Sequence, residues 1–177
     1  MFTPSIWNAW PLSAGFVFLS GILMITRRDI ARRMSDMTGY TIKEKLLTIL
    51  ASLAPYPFML LTIWTPFTTT LPLLLCGMLI YLLGMFCFIA SLQVILTTPP
   101  GELFLTGPYR LTRNPVYVSA TLVFLGIGLA TASWPLLLYL AAATLLQHQM
   151  IVAEERICLK KYGRGYEVYM KSAPRYF

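Results

Sequence analysis

The sequence predicts an all-α integral membrane protein with five transmembrane helices, the last two a helical hairpin, followed by a cytoplasmic interfacial helix. Three observations carry this expectation. The 177 residues are 57% hydrophobic and only 12% charged, whereas a soluble domain carries roughly a quarter of its residues as charges. All Lys, Arg, Asp and Glu fall into three blocks, so that residues 1–26, 46–101 and 114–153 hold no charged side chain. A spanning helix needs about 20 apolar residues at about 1.5 Å each, and the uncharged tracts divide into pieces of that length.

The first span runs from Ile6 to Ile25 and the second from Leu46 to Trp64, ended by Thr65, Pro66 and the run Thr68 to Thr70. Pro55 and Pro57 interrupt the second span and predict a kink, because proline removes a backbone donor and crowds the preceding turn. The third span runs from Leu73 to Leu96, ahead of Pro99, Pro100 and Gly101. The tract Val116 to Ala153 is twice the length of one span, and Thr131 to Pro135 near its middle read as a tight turn between two helices. Gly15 and Gly21, Gly77 and Gly84, and Gly126 and Gly128 are small residues at which membrane helices can approach closely.

An odd number of spans puts the three charged blocks on one face. The opposite loops hold no Lys or Arg, so the positive-inside rule makes the charged face cytoplasmic and the N-terminus extracytoplasmic. The opening Met1-Phe2-Thr3-Pro4 has no basic region before the apolar run, which reads as an uncleaved anchor rather than a leader. The chain is expected to form one structural domain, with three helices and a basic loop in 1–100 and a second segment, hairpin and amphipathic helix in 101–177.

The net charge of +7 would point to nucleic acid in a soluble protein. Here the cations flank apolar spans, and anionic lipid headgroups are the nearer partner, with no nucleic acid expected. The three cysteines, Cys76, Cys87 and Cys158, give no disulfide framework, and one histidine, His148, gives no metal site.

The hairpin geometry would return Gly101 to Tyr117, including Arg110, Arg113 and Asn114, to the membrane face where Glu154, Glu155 and Arg156 emerge. A carboxylate at the hydrocarbon boundary demands a partner, and Arg110, Arg113 and Arg156 are the candidates. Beyond Glu155, Cys158, Tyr162, Tyr166 and Tyr169 share one helical side, with Lys160, Lys161, Arg164 and Lys171 largely elsewhere. This is the pattern of an interfacial helix, and Gly163 and Gly165 are expected to bend it.

The run GPYRLTRNPVY (Gly107 to Tyr117), the apolar hairpin, EERICLKKYGRGYEVYM (Glu154 to Met170) and the final PRYF resemble the isoprenylcysteine carboxyl methyltransferase and phospholipid methyltransferase group of integral membrane enzymes. The resemblance covers Glu102 to Phe177, and the earlier spans match only in hydropathy. It implies an S-adenosylmethionine-dependent methyltransferase acting on a lipophilic acceptor, either an isoprenylcysteine-type carboxylate or a lipid headgroup, with the cofactor pocket on the cytoplasmic side.

Carried over by position, the resemblance implies that Leu103, Phe104, Gly107, Tyr109, Asn114, Pro115, Tyr117, Glu154 and Glu155 hold the cofactor. It makes Arg113 and Glu155 the catalytic candidates, with no metal. Asn114 stands where the isoprenylcysteine branch has His, and Met150 where that branch has Arg. Carboxylates and aromatic faces suit a sulfonium ligand, and methyl transfer draws on alignment of the reacting atoms. A carboxylate acceptor needs no base, whereas an amine would lose a proton to Glu154 or Glu155. Two other functions stand beside methyl transfer: a non-enzymatic accessory or lipid-binding protein, in which the charged blocks only fix topology, and an NADPH-dependent reductase, because the C-terminal signature also resembles that of the much longer membrane sterol reductases.

Overall fold

The computed structural model describes residues 5 and 7–176; the start of the first expected span at Ile6, the opening Met1 to Pro4 and the final Phe177 lie outside the described residues. The regular secondary structure of the described residues is helical. Its helices are α1 (Trp10–Thr26), α2 (Arg28–Met34), α3 (Ile42–Leu53), α4 (Pro55–Thr62), α5 (Leu71–Thr97), α6 (Pro115–Ala130), α7 (Trp134–Tyr162) and α8 (Arg164–Ser172), with a 3-10 turn at Gly107–Arg110 before α6. Among the described residues the sole strand-like feature is an isolated bridge between Asn8 and Pro66.

Three segments are long and apolar enough to cross a bilayer: Ile42–Thr62, which joins α3 and α4, then α5 and α7. By contrast α1 and α6, with 17 and 16 residues, reach only about 25 Å at 1.5 Å per residue, against a hydrocarbon thickness of about 30 Å. Side chains on the outer faces of the long helices, such as Leu79, Leu82, Phe86, Leu138 and Leu145, are exposed. That is the reverse of a water-soluble surface and suits lipid.

The proline pair acts where the sequence places it. α3 ends at Leu53 and α4 begins at Pro55. Pro57 has no N–H to offer the Leu53 carbonyl, and one residue on the Phe58 N–H reaches the Ala54 carbonyl only at 3.5 Å; that carbonyl also accepts a hydrogen bond from the Tyr139 hydroxyl of α7 at 2.9 Å. The start of α3 is fixed by a reciprocal cap: Thr41 N–H donates to Glu44 at 2.7 Å, and Glu44 N–H donates to the Thr41 hydroxyl at 3.3 Å. Two orphan donors are thereby satisfied.

Helices α5 and α6 pack backbone to backbone. A Cβ at Gly77 would lie 2.3 Å from the Ala130 nitrogen, and one at Gly126 would lie 2.5 Å from the Tyr81 nitrogen. A Cβ at Gly84 would come within 2.7 Å of the Val123 nitrogen. Glycine is required at these crossings for space. Around them sits an aromatic core in which Phe16, Phe88, Phe124 and Phe58 are linked by ring contacts of 4.6 to 5.1 Å.

The turn from α6 to α7 spans only Thr131 to Ser133, with Ala132 in the left-handed region at φ 49°. The 29 residues of α7 outrun α6 and carry its C-terminal turns past the start of α6. At Gly163, with φ 52°, the chain breaks and restarts as α8. The bend thus falls at the first of the two glycines.

Candidate functional site

Asn114 stands at the N-cap position of α6, makes no side-chain cap bond and is buried; Glu155 lies in the last third of α7 and is 5% exposed. The two side chains meet: Asn114 Nδ2 donates to Glu155 Oε1 at 3.0 Å. Arg113 adds a fork, with Nε to Oε1 at 3.2 Å and Nη2 to Oε2 at 3.3 Å. Arg175 adds a second, with Nε and Nη2 both donating to Oε2 at 3.0 and 2.9 Å. Bidentate guanidinium–carboxylate geometry is the strong form of such pairing.

The same guanidinium ties down the C-terminal tail. Arg113 Nη1 donates to the carbonyls of Met170 and Ala173 at 2.9 and 2.8 Å, and its backbone N–H donates to the Pro174 carbonyl at 2.9 Å. The Thr112 hydroxyl and Asn114 Nδ2 both donate to the Arg175 carbonyl, at 2.8 and 3.2 Å. One residue further, the Tyr176 hydroxyl and His148 Nδ1 are 2.6 Å apart. Glu155 is therefore the hub that joins the start of α6, the end of α7 and the tail.

Glu154 differs. It is partly buried, and Tyr117 donates its hydroxyl to Oε2 at 2.8 Å. Among the described residues no ion pair reaches it. Adjacent carboxylates on one helix thus differ: Glu155 is surrounded by two guanidinium groups and an amide, whereas among the described residues Glu154 is bonded by the Tyr117 phenol alone.

The 3-10 turn supplies the next wall. Gly107 opens it with φ 55°, and a Cβ there would press on Val94 at 3.2 Å. Tyr109 is buried, stacks near Phe104 with ring centroids 5.2 Å apart, and accepts a hydrogen bond on its carbonyl from the Tyr169 hydroxyl at 2.7 Å. Burial, then the carboxylate of Glu154, holds the Tyr109 phenol well above its ordinary range and therefore protonated. Leu103 packs with Cys158 and Tyr162 against the buried pair Tyr166 and Tyr169. Pro115 is the first residue of α6 and is buried.

The structure thus gathers Arg113, Asn114, Glu155, Tyr117 and Glu154 at one end of α6 and α7, with Tyr109, Phe104 and Leu103 alongside and Gly107 setting the turn. Two expected partners go elsewhere. Arg156 pairs with Glu44 of α3 at 2.7 Å instead of with the twin acids. Arg110 faces a depression of about 300 Å³ bordered by Leu105, Val168, Tyr169 and Ser172. The sequence reading missed Arg175 and Thr112. The tail carries no periodic signal, and PRYF identifies the segment without showing where its arginine points.

Comparisons with known proteins bear on the same part of the chain. The family of phospholipid methyltransferases matches residues 72–165, which run from α5 into α8. The nickel-cobalt-cadmium resistance protein NccN of Alcaligenes xylosoxydans xylosoxydans is 32% identical over 76 residues, which is 43% of this chain and 36% of that protein. The match therefore spans well under two thirds of that relative's length. No solved structure matches. With more than half of its length inside the family match, and the twin acids and the Asn-Pro corner within the matched region, the chain belongs to the phospholipid methyltransferase family of membrane proteins.

Proposed function

We propose that the protein transfers a methyl group from S-adenosylmethionine to a lipophilic acceptor at the cytoplasmic face of a membrane. The observation that carries this reading is the unequal pair of acids. A carboxylate removed from water and left without a cation is unfavourable by several kcal/mol, of order 3 or more. Glu154 is half-buried and, among the described residues, has no cation beside it, whereas Glu155 has two, and a cationic ligand would complete Glu154. The aromatic faces of Tyr109, Phe104 and Tyr117 beside it suit the same ligand.

When bound, S-adenosylmethionine supplies an electrophilic methyl group on a sulfonium. The chain's own contribution is binding and alignment. Glu154 holds positive charge, oriented by the Tyr117 hydroxyl. Tyr109 and Phe104 form an apolar side, and the Glu155–Arg113–Arg175 network keeps the start of α6 and the end of α7 in register. Glu155 has no lone pair left for a proton, because five donors reach its two oxygens and a carboxylate offers about four lone-pair sites. We assign Glu155 and Arg113 to positioning the site, and Glu154 to any proton removal that an amine acceptor requires.

An apolar groove of about 260 Å³ lies between α3–α4 and α7, lined by Leu50, Ala54, Pro57, Tyr139, Ala143 and Leu146. Tyr139, Ala143, Leu146, Met150 and Glu154 recur every three or four residues, which is one face of α7. A hydrocarbon chain seated there would extend toward Glu154, and this supports an acceptor with a lipid tail. Orientation follows from five spans, with α1 and α6 crossing as short helices, the N-terminus outside, and the site and α8 inside. Lys160, Lys161, Arg164 and Lys171 then face anionic headgroups.

The test is calorimetry on the purified chain in detergent. S-adenosylmethionine is expected to bind, and Glu154→Gln to weaken it about tenfold or more, which is about 1.4 kcal/mol. S-adenosylhomocysteine, lacking the sulfonium charge, is expected to lose less. Absence of binding by either compound would favour an accessory or lipid-binding role, and binding of NADPH alone would favour a reductase.

A further inference from the structure

The loop between α2 and α3, residues 35–41, lies outside the family match and outside every motif of the sequence, yet it is built onto the same face of α7. Thr38 N–H and its hydroxyl both bond Asp36 Oδ1, at 3.0 and 2.5 Å, and Tyr40 N–H donates to the Met37 carbonyl at 3.2 Å, so the loop is a folded turn. Gly39, at φ 83°, lies so close to α7 that a Cβ would meet Ile157 at 3.1 Å. Arg156 Nη2 donates to the Gly39 carbonyl at 3.3 Å and to Glu44 Oε2 at 2.7 Å. That Glu44 oxygen also accepts the Thr41 N–H at 2.7 Å. One carboxylate oxygen therefore clasps the loop, the start of α3 and α7 together.

Ile157, Glu154 and Cys158 are neighbours on the surface of α7, because residues three and four apart share a face. With Gly39 seated on Ile157, the next residue, Tyr40, comes within electrostatic reach of Glu154 and Cys158. Resting on the reading of Glu154 as the acid that holds a cation, we propose that Tyr40 is a further binding residue of the site. Its ring walls the cation held by Glu154, and the Arg156–Glu44 pair seats it. The electrostatics agree: burial first, then the Glu154 carboxylate, raises the Tyr40 phenol above its ordinary range, so it stays neutral beside the acid. A neutral aromatic face opposite a carboxylate is a fitting second wall for a sulfonium or ammonium group, because the ring attracts a cation without neutralising the acid.

The experiment uses the full chain in detergent and reads ligand affinity, thermal stability and the rate at which Cys158 reacts with a maleimide. Tyr40→Ala is expected to raise the dissociation constant for S-adenosylmethionine about tenfold, with the melting temperature of the ligand-free protein unchanged. Tyr40→Phe, which keeps the ring, is expected to restore most of the affinity. Cys158, followed as its own peptide by mass spectrometry, is expected to react faster in Tyr40→Ala and in Glu44→Gln than in the native chain, and S-adenosylmethionine to slow it only where Tyr40 or Phe is present. Native affinity in Tyr40→Ala, with Glu154→Gln still weakened, overturns the role of Tyr40 and leaves the methyl-donor site standing. Native Cys158 reactivity in both variants overturns the placement of the loop. A native chain that binds no donor overturns both readings together.

Discussion

Arg175 Nη2 lies 2.9 Å from Glu155 Oε2, so the tail of the chain is pinned to the helix that carries the twin acids. Glu155 is 5% exposed and Arg113 8%, which makes their contact a buried ion pair. Removing one partner of such a pair leaves an uncompensated charge. The outer contact to Arg175, whose side chain is 35% exposed, adds less because water screens it.

Glu155→Gln is therefore expected to destabilise the ligand-free protein by about 3 kcal/mol or more, a fall of at least about 6 °C in melting temperature. Glu154→Gln is expected to leave that temperature unchanged or raise it, since it removes a half-buried charge that, among the described residues, no cation pairs with. Differential scanning fluorimetry on the two variants makes the comparison. Equal melting temperatures would refute the division of roles between the two acids.

Part of this arrangement is legible in the sequence. A tract of double span length with a turn at Thr131 to Pro135 puts Asn114 and Glu155 at one end of two helices by counting alone, and their hydrogen bond is where that count places it. Hydropathy alone starts the second span at Leu46, whereas α3 begins at Ile42. There the Thr41–Glu44 cap outweighs two lysines, since orphan N–H groups at a helix start demand partners that an apolar count does not register. Pairing was the least legible. Arg156 and Glu44 are 112 residues apart, and Arg175 sits in a tail without regular pattern, so no spacing rule joins either to its carboxylate. Five apolar stretches did not all become helices of spanning length, because α6 begins only where the Asn114-Pro115 corner permits and ends at the Thr131 turn.

The α5–α6 crossing gives a second test. Gly77→Leu places a side chain where even a Cβ would lie 2.3 Å from backbone, and backbone cannot yield as a side chain can. A loss of at least about 2 kcal/mol is expected from overpacking. Gly21→Ala is the control, because nothing lies within 4 Å of a Cβ there; it is expected to be neutral or stabilising by up to about 1 kcal/mol through helix propensity. Thermal unfolding of both variants decides it, and a native melting temperature for Gly77→Leu would show that the helices do not pack through that glycine.

Alkaline pH addresses the wall formed by the 3-10 turn and α8. Burial, partly offset by the Arg113 guanidinium, pushes the Tyr169 phenol up to about 12. The native state therefore retains a proton that the unfolded chain releases near pH 10. Stability from this group is complete below pH 10 and is lost as pH rises from there toward 12, because the unfolded state binds fewer protons in that window. The melting temperature is expected to fall more steeply above pH 10 in the native chain than in Tyr169→Phe, which has no proton to lose but also lacks the 2.7 Å bond to the Tyr109 carbonyl. Parallel curves would show that Tyr169 does not carry the dependence.

Topology makes the last prediction. Trp134 begins α7 and is exposed, while Lys160 and Lys161 lie in its last turn and Arg164 opens α8. If α6 and α7 both cross, a reporter inserted after Trp134 is extracytoplasmic and one placed at the C-terminus is cytoplasmic. α6 is short by about 5 Å of a typical hydrocarbon core, a mismatch that local thinning of the bilayer accommodates at a fraction of a kcal/mol per Å. Its partner α5 holds it through the glycine crossing, so its stability does not rest on lipid contact alone. Cysteine-accessibility labelling at Ser133, in a background lacking the native thiols, reads the same point without a fusion. Labelling at Ser133 from the cytoplasmic side would place the α6–α7 turn on the face of Glu154, and the two-sided access that an aqueous donor and a membrane-dissolved acceptor require would then need a different route.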